Sequence, residues 1–420
     1  MKRLNTQELV PGMVLEAPVR DQKGRLLIPA GETVNEKHVR ICKIWGAMDI
    51  WVKTEEAQDR SAPENVEEIP EHLYMQAESW ARNAFQDNDP TEPFIGKVFQ
   101  LAVQRKAKLL YAQGKAALKP DPASNQDWSH FQHRSIRRQP LSVQSLINDR
   151  MKLPALPDIY HKTMASIYDV DVPLADIAQI ISKDTTLSAK VLQLVNSSFY
   201  GLLKPVETLT HALALIGTDQ LMTIVTGVSV VSVFKDLSSS MLNMRQFWEH
   251  SVACGIVCRQ LASYMNGVVN SERYFVAGLL HDIGRLAMIQ AAAEDMARSM
   301  VKARVGKFPL VEAEAEVLGF DHAQAGAYLA HSWNLPPALE RMIRHHHAAG
   351  LEVQNIDPAV VATADFLITA LEVGSSGNPF LPSFSEDTWN RLDLDPSILD
   401  NVLFQLENQM NDTLVLIYGV

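Results

Sequence analysis

Phe275-Val276-Ala277-Gly278-Leu279-Leu280-His281-Asp282-Ile283-Gly284 is the stretch on which the reading of this sequence turns. An apolar helix face ends there in a neighbouring imidazole and carboxylate. Adjacent helical residues point about 100° apart. His281 and Asp282 can therefore share one metal only in a cleft where other helices bring further donors. His250, in Phe247-Trp248-Glu249-His250-Ser251, and Asp365, in Ala362-Thr363-Ala364-Asp365-Phe366, are the candidates to supply them. Two imidazoles and two carboxylates suit a divalent ion such as Mn, Fe, Mg or Zn, which could activate water against a phosphoester. His322 and the run His345-His346-His347, with His322, His345 and His346 as first choices, extend the set toward a second metal or a phosphate. An exposed helix end explains the triple histidine equally well.

Seven of the 13 histidines fall between residues 250 and 347, and this crowding is the main chemical signal in the chain. Around it, the pattern is helical from about 146 to 350. Leu174, Ile177, Ile180 and Ile181 recur at helical spacing, and Leu187, Val191, Leu194 and Val195 do so again after a cap expected at Thr185 or Thr186. Gly201 is expected to end that helix, and Pro205 precedes one carrying Leu209, Leu213, Leu215 and Ile216. No strand alternation of comparable strength interrupts this region, so an all-α domain is expected. His250, Cys254 and Cys258 sit at i, i+4 and i+8 on one helix face. Thiolate ligation is one reading. Two small buried apolar residues is the preferred one, because structural zinc sites usually bring cysteines in pairs at shorter spacing.

Residues 1–53 read as a small β-rich module. Val14 to Val19 and Arg25 to Ile28 flank a turn at Asp21-Gln22-Lys23-Gly24, Asn35 could cap a short helix bearing Val39, Ile41, Cys42 and Trp45, and Ile50-Trp51-Val52 closes the unit. Residues 54–145 read as a charged, partly helical connector. Within it, 55–92 carry a local charge of −9 and 101–140 one of +6. A solvated linker is the plain reading; the sharper one pairs the two stretches with each other or with another protein. Residues 351–420 add a helix at 357–373, a Gly/Ser/Pro loop and a final helix near 396–418.

The 420 residues are 47% hydrophobic and 21% charged, as in a folded protein of two or three domains. A formal charge of −11 argues against nucleic acid and anionic lipid as partners. The longest strongly apolar run, within 220–234, is short of the roughly 18 residues of a membrane span. Met1-Lys2-Arg3 leads into a polar segment with no secretory signal, and three cysteines leave at least one thiol unpaired; both fit a reducing cytoplasm. Neither a P-loop nor a dinucleotide fingerprint is present.

Leu279 to Gly284, with His250 upstream and Asp365 downstream, resembles the His…His-Asp…Asp signature of the HD-domain phosphohydrolase superfamily. More closely, 146–350 is similar to the HDOD domain, an HD-related output domain of bacterial signalling proteins. The matching pieces are Leu153-Pro154-Ala155-Leu156-Pro157, Ile180 to Leu192, Val195-Asn196-Ser197-Ser198-Phe199-Tyr200-Gly201, Ala212 to Gly217, the HD string, His322 to Ala327 and Trp333-Asn334-Leu335-Pro336. The first 53 residues look like the small domain preceding some HD-GYP phosphodiesterases. The resemblance implies a mainly α fold, a metal at His250, His281, Asp282 and Asp365, and regulatory contacts with other signalling proteins. A nucleotide ligand and a homodimer are compatible with it. Arg285 follows Gly284 where HD-GYP relatives usually have Lys, and no Gly-Tyr-Pro follows the paired histidines. Hydrolysis of a nucleotide phosphoester is therefore the alternative expectation, behind a regulatory or protein-interaction role.

Overall fold

The computed structural model describes residues 2–4, 9–20, 26–35, 38–39, 42, 50–53, 69–114, 142–150, 155–169, 171–196, 205–234, 237, 239–268, 270–347 and 356–418. Two separate cores organise them. The smaller gathers Leu4, Leu9, Leu15, Val19, Ile28, Val34, Cys42, Ile50 and Val52. Strand β1 (Lys2–Leu4) pairs antiparallel with β4 (Ile50–Val52), and β2 (Val19–Arg20) with β3 (Leu26–Ile28). Ile50 and Val52 point inward on alternate positions, as a half-buried strand requires. Asn35 Oδ1 accepts from the His38 amide at 2.9 Å, the expected cap. The turn at 21–24, Ile41 and Trp45 lie outside the described residues. So does Gly201.

The larger core is helical throughout, so the chain is mainly α. It begins inside the stretch expected as connector. Helices α1 (Glu71–Ala84) and α2 (Pro93–Gly114) pack on the C-terminal elements. Phe94 stacks on Trp389 at 4.4 Å, and its amide donates to Glu386. Lys97 pairs with Asp400 and Lys106 with Glu372, while Arg105 donates to the Leu371 carbonyl. Among the described residues, Lys97 and Lys106 thus meet acids, and Arg105 a carbonyl, of the C-terminal 50 residues and not the acidic stretch beside them in sequence.

Helices α3 (Asp158–Tyr168), α4 (Leu174–Ser182), α5 (Thr185–Asn196), α6 (Leu209–Ile216) and α7 (Thr218–Phe234) follow, with a π-helical turn at Ser145–Arg150 before them. The α5 cap is Asp184, whose Oδ1 accepts from the Leu187 amide at 2.9 Å, and not Thr185 or Thr186. Leu215 is half-exposed while Leu209, Leu213 and Ile216 are buried. The apolar run at 220–234 is a helix buried on nearly every side. Among the described residues no single helix is long and apolar enough to cross a membrane; α6 and α7 reach that length together but bend by 115°.

Helix α8 (Met244–Tyr264) runs through the centre, crossed by α9 (Glu272–Leu280). Their backbones touch: a Cβ at Gly278 would lie 2.7 Å from the Cys254 carbonyl, and one at Gly255 would lie 2.8 Å from the Phe275 carbonyl. Helices α10 (Ile283–Ala291), α11 (Ala293–Gly306), α12 (Leu310–Leu318), α13 (His322–Ser332), α14 (Pro337–His345), α15 (Asp357–Ala370), α16 (Glu386–Asn390) and α17 (Ile398–Tyr418) complete the order. A second close approach joins α10 to α13, where a Cβ at Gly284 would overlap the His322 carbonyl and lie 2.6 Å from the Gly326 amide. Helix propensity alone would favour Ala at Gly284 by about 1 kcal/mol. Backbone on the facing side cannot swing away as a side chain can, so Gly284→Ala is expected instead to lower stability, by about 1–3 kcal/mol as overpacking does, read as a lower urea midpoint at unchanged m-value.

Candidate metal centre

His281 caps the end of α9 and Asp282 precedes α10, so the pair stands at a break between two helices. That break turns the two side chains toward different neighbours. His281 joins His250 and Cys254 of α8 and Asp365 of α15, while Asp282 joins His322 at the start of α13 and His346 and His347 just beyond α14. Within each group the ligand atoms all lie within 4.8 Å of one another, and the groups adjoin through His281 Nε2 and Asp282 Oδ2 at 3.2 Å. The expected set of His250, His281, Asp282 and Asp365 is thus gathered but divided between two neighbouring groups. His322 and His346 are present as expected. The remaining histidine of the second group is His347; His345, on the last turn of α14, is not part of it.

Hydrogen bonds fix which nitrogen of each ring faces inward. Nδ1 of His281 donates to the Gly278 carbonyl at 2.7 Å and Nδ1 of His346 to the Ile343 carbonyl at 2.7 Å. Nδ1 of His322 is held by the Glu314 carboxylate at 2.5 Å. All three rings therefore present Nε2 to the centre, the arrangement in which an outer carboxylate or carbonyl orients a metal-binding imidazole. Nε2 of His322 lies 2.8 Å from Nε2 of His347, 3.3 Å from that of His346 and 3.0 Å from Asp282 Oδ1. His281 Nε2 and Asp282 Oδ1 are buried and make no well-aligned hydrogen bond, although Asp282 Oδ2 and His322 Nε2 respectively stand 3.2 and 3.0 Å away. Each group brings four donor atoms of imidazole, carboxylate or thiol within 4.8 Å of one another, a set that a divalent ion can satisfy, so the residues present fit a metal.

Charge within the cluster is balanced by its own side chains. Burial would raise the Asp282 carboxyl, but Arg285, His281 and His322 hold it well below its ordinary value. Burial likewise opposes Asp365, and the rings of His250, at hydrogen-bond distance, and of His281, at 3.7 Å, hold it down. Glu314 is lowered against burial by His322 and Arg285. On the cationic side, burial disfavours charge on His281, yet Asp282 and Asp365 lift it to about 10. His322, pushed down by burial and Arg285, is raised by Glu314 and Asp282 to about 9. Three carboxylates thus face two imidazolium rings and the guanidinium of Arg285. His346 falls well below its ordinary value and His347 to about 3, by burial and the neighbouring charged rings, so both stay neutral.

Arg285 is wholly buried. Its Nη1 donates to Asp282 Oδ2 and to Ser376 Oγ, both at 2.7 Å, and its Nε to Glu314 Oε1 at 3.3 Å. Holding Oδ2, which His281 also faces, leaves Oδ1 of Asp282 for His322 and His346. Glu314 and Ser376 match no motif, and neither is among the expected site residues. A signal for Glu314 did exist: in Leu310-Val311-Glu312-Ala313-Glu314-Ala315-Glu316-Val317-Leu318 it falls at i+4 between two leucines that prove buried, whereas Glu312 and Glu316 do not share their face. A cleft of about 890 Å³ reaches the cluster from outside, lined by His250, Gln246, Thr369 and Ser376 and walled by Trp80 of α1 and Phe308.

Comparison with known proteins adds a family to this geometry. Residues 153–349 match the HDOD domain. An uncharacterized protein of Treponema pallidum is 27% identical over 240 residues, covering 56% of this chain and 46% of its own, so the chain spans about half the length of that curated relative. The crystal structure of an HDOD domain protein of unknown function from Geobacter sulfurreducens is 25% identical, covers 66% of this chain and 95% of its own, and superimposes with a TM-score of 0.50. A Marinobacter aquaeolei protein, assigned only provisionally to signal transduction by its name, shares the fold at 19% identity and a TM-score of 0.50, over 75% of this chain and 72% of its own.

Two expectations follow from the protonated rings and their partners. An ion can use Nε2 of His281 or His322 only by displacing a proton, so zinc affinity should rise about tenfold or more per pH unit between roughly pH 6.5 and 8.5; competition against a chelator of known pH dependence measures it, and a flat profile contradicts it. Glu314→Gln removes the charge that orients His322 and should weaken metal binding about 10–100-fold, as loss of an outer partner typically does, again by chelator competition.

Proposed function

We propose, from the match of residues 153–349 to the HDOD domain, that this chain is a bacterial intracellular signal-transduction protein whose helical domain is a regulatory or protein-interaction output module built around a bound divalent ion. The observation that carries this reading is the enclosure of the cluster: His281, Asp282, Arg285, His322 and His346 are at most 2% exposed. Arg285 on Asp282 Oδ2 reinforces it. Such a centre suits a structural ion that ties α8, α9, α13 and α15 together, so that a change at one helix is felt by the others. Partners in keeping with it are other signalling proteins in the cytoplasm, with a second copy of the chain or a nucleotide as further candidates.

A second reading, a metal-dependent phosphohydrolase or phosphodiesterase acting on a nucleotide, is favoured by one feature, the cleft that reaches His250. The chemistry a bound divalent ion supplies in such a site is Lewis acidity toward a phosphoester oxygen and activation of water. His250, His281, Asp282 and Asp365 would hold the ion, the neutral His346 and His347 would face the phosphate side, and Arg285 would keep Asp282 ionised.

Elemental analysis of the purified chain, followed by assays on nucleotide phosphoesters with and without added metal, separates the two. The regulatory reading expects bound transition metal and no turnover above that of a His281→Ala Asp282→Ala double variant. Robust turnover that disappears in the double variant would overturn it in favour of hydrolysis. Absence of any bound ion, with none taken up on reconstitution, would remove the metal from both.

A further inference from the structure

We infer that Cys254 is itself a ligand of the ion in the His250 group, giving this half of the centre two nitrogens, one oxygen and one sulfur and a preference for zinc, ferrous iron or cobalt over magnesium and manganese. The inference rests on the preceding reading that the cluster holds an ion and names one more donor within it.

Cys254 lies one turn along α8 from His250, on the same face. Its Sγ is 3.5 Å from His250 Nε2, His250 Nε2 is 3.1 Å from Asp365 Oδ1, and Asp365 Oδ1 is 3.7 Å from His281 Nε2. Four-coordinate zinc binds nitrogen and oxygen at about 2.0–2.2 Å and sulfur at about 2.3 Å, which sets tetrahedral donors roughly 3.3–3.8 Å apart. The three separations fall on or close to that spacing. His281 Nε2, fully buried, belongs to the same group of atoms; it makes no well-aligned hydrogen bond, its nearest oxygens being Asp282 Oδ2 at 3.2 Å and Asp365 Oδ1 at 3.7 Å, and this leaves it open to a further partner.

Cys258 is the internal control. It lies one further turn along the same face and is equally buried, yet its Sγ is outside the group, with the Val360 carbonyl at 3.9 Å. Two cysteines alike in sequence context are therefore unlike in function: Cys258 is core packing, as the helical spacing suggests for both, and Cys254 is not. The close approach of α8 and α9 at Gly278, against the Cys254 carbonyl, is what draws His281 up to the thiol. A soft sulfur donor disfavours magnesium and manganese, which prefer all-oxygen sites, and suits zinc, cobalt and ferrous iron.

Cobalt(II) provides the test, because a sulfur ligand adds an intense near-ultraviolet charge-transfer band to the visible ligand-field bands of the bound ion. The full chain, stripped with chelator and reloaded with cobalt, is expected to show both. Cys258→Ser should keep both, and Cys254→Ser should keep visible bands while losing the charge-transfer band. Visible bands without the charge-transfer band in the unmodified chain, a measurement that needs no variant, would overturn the inference and leave the metal reading intact. Survival of the charge-transfer band in Cys254→Ser would overturn it equally. Failure of the unmodified chain to bind cobalt or zinc at all would overturn the metal reading, and the inference with it.

Discussion

Burying a carboxylate costs several kcal/mol unless a cation faces it, and this centre buries three within one cluster. Asp282, Asp365 and Glu314 are held ionised by His281, His322 and Arg285. Arg285 differs from the other two cations in that its charge cannot be removed at any accessible pH. It binds Asp282 and Glu314 at once, and through Glu314 it fixes the ring of His322. Two of the four residues of the second donor group, Asp282 and His322, are therefore set by one guanidinium that is itself wholly enclosed by protein.

Packing around that charge leaves little freedom. Gly278 lets α9 lie against α8, and Gly284 lets α10 lie against α13, so the two helices flanking the His281-Asp282 break are each pinned by backbone contact. The break itself divides the pair between two donor groups. Helices α1 and α2 then close over the C-terminal elements through Phe94, Lys97, Arg105 and Lys106, and Trp80 of α1 becomes a wall of the cleft that ends at His250. The N-terminal strands keep a separate small core, and among the described residues they supply no donor to the centre.

Much of this is legible in the sequence, and the exceptions share a cause. The HD string, His250 and Asp365 are readable because an ionisable residue inside an apolar helical run is expensive and announces itself. Helices α4 to α6 are readable from period alone, though Asp184, one or two residues earlier than expected, takes the cap of α5. His347 and not His345 joins the second group, and three identical neighbours differ only in where α14 stops, which depends on the packing of its last turn. Cys254 and Cys258 cannot be told apart in sequence, since equal spacing on one helix says nothing of what another helix brings opposite. The pairing of Lys97 and Lys106 with acids 303 and 266 residues away leaves no local trace.

What the sequence by itself determined is the mainly helical fold, the separate β-rich start and the identity of most side chains that meet at the centre, because periodicity and the cost of burying charge act residue by residue. What only the tertiary structure decided is the partition of those side chains: His281 to one group and Asp282 to the other, Glu314 and Ser376 around Arg285, Cys254 in and Cys258 out. Those outcomes depend on the angle and separation at which helices cross, and these are fixed by backbone contacts at Gly278 and Gly284 between elements that are distant in the chain or turn sharply at the break.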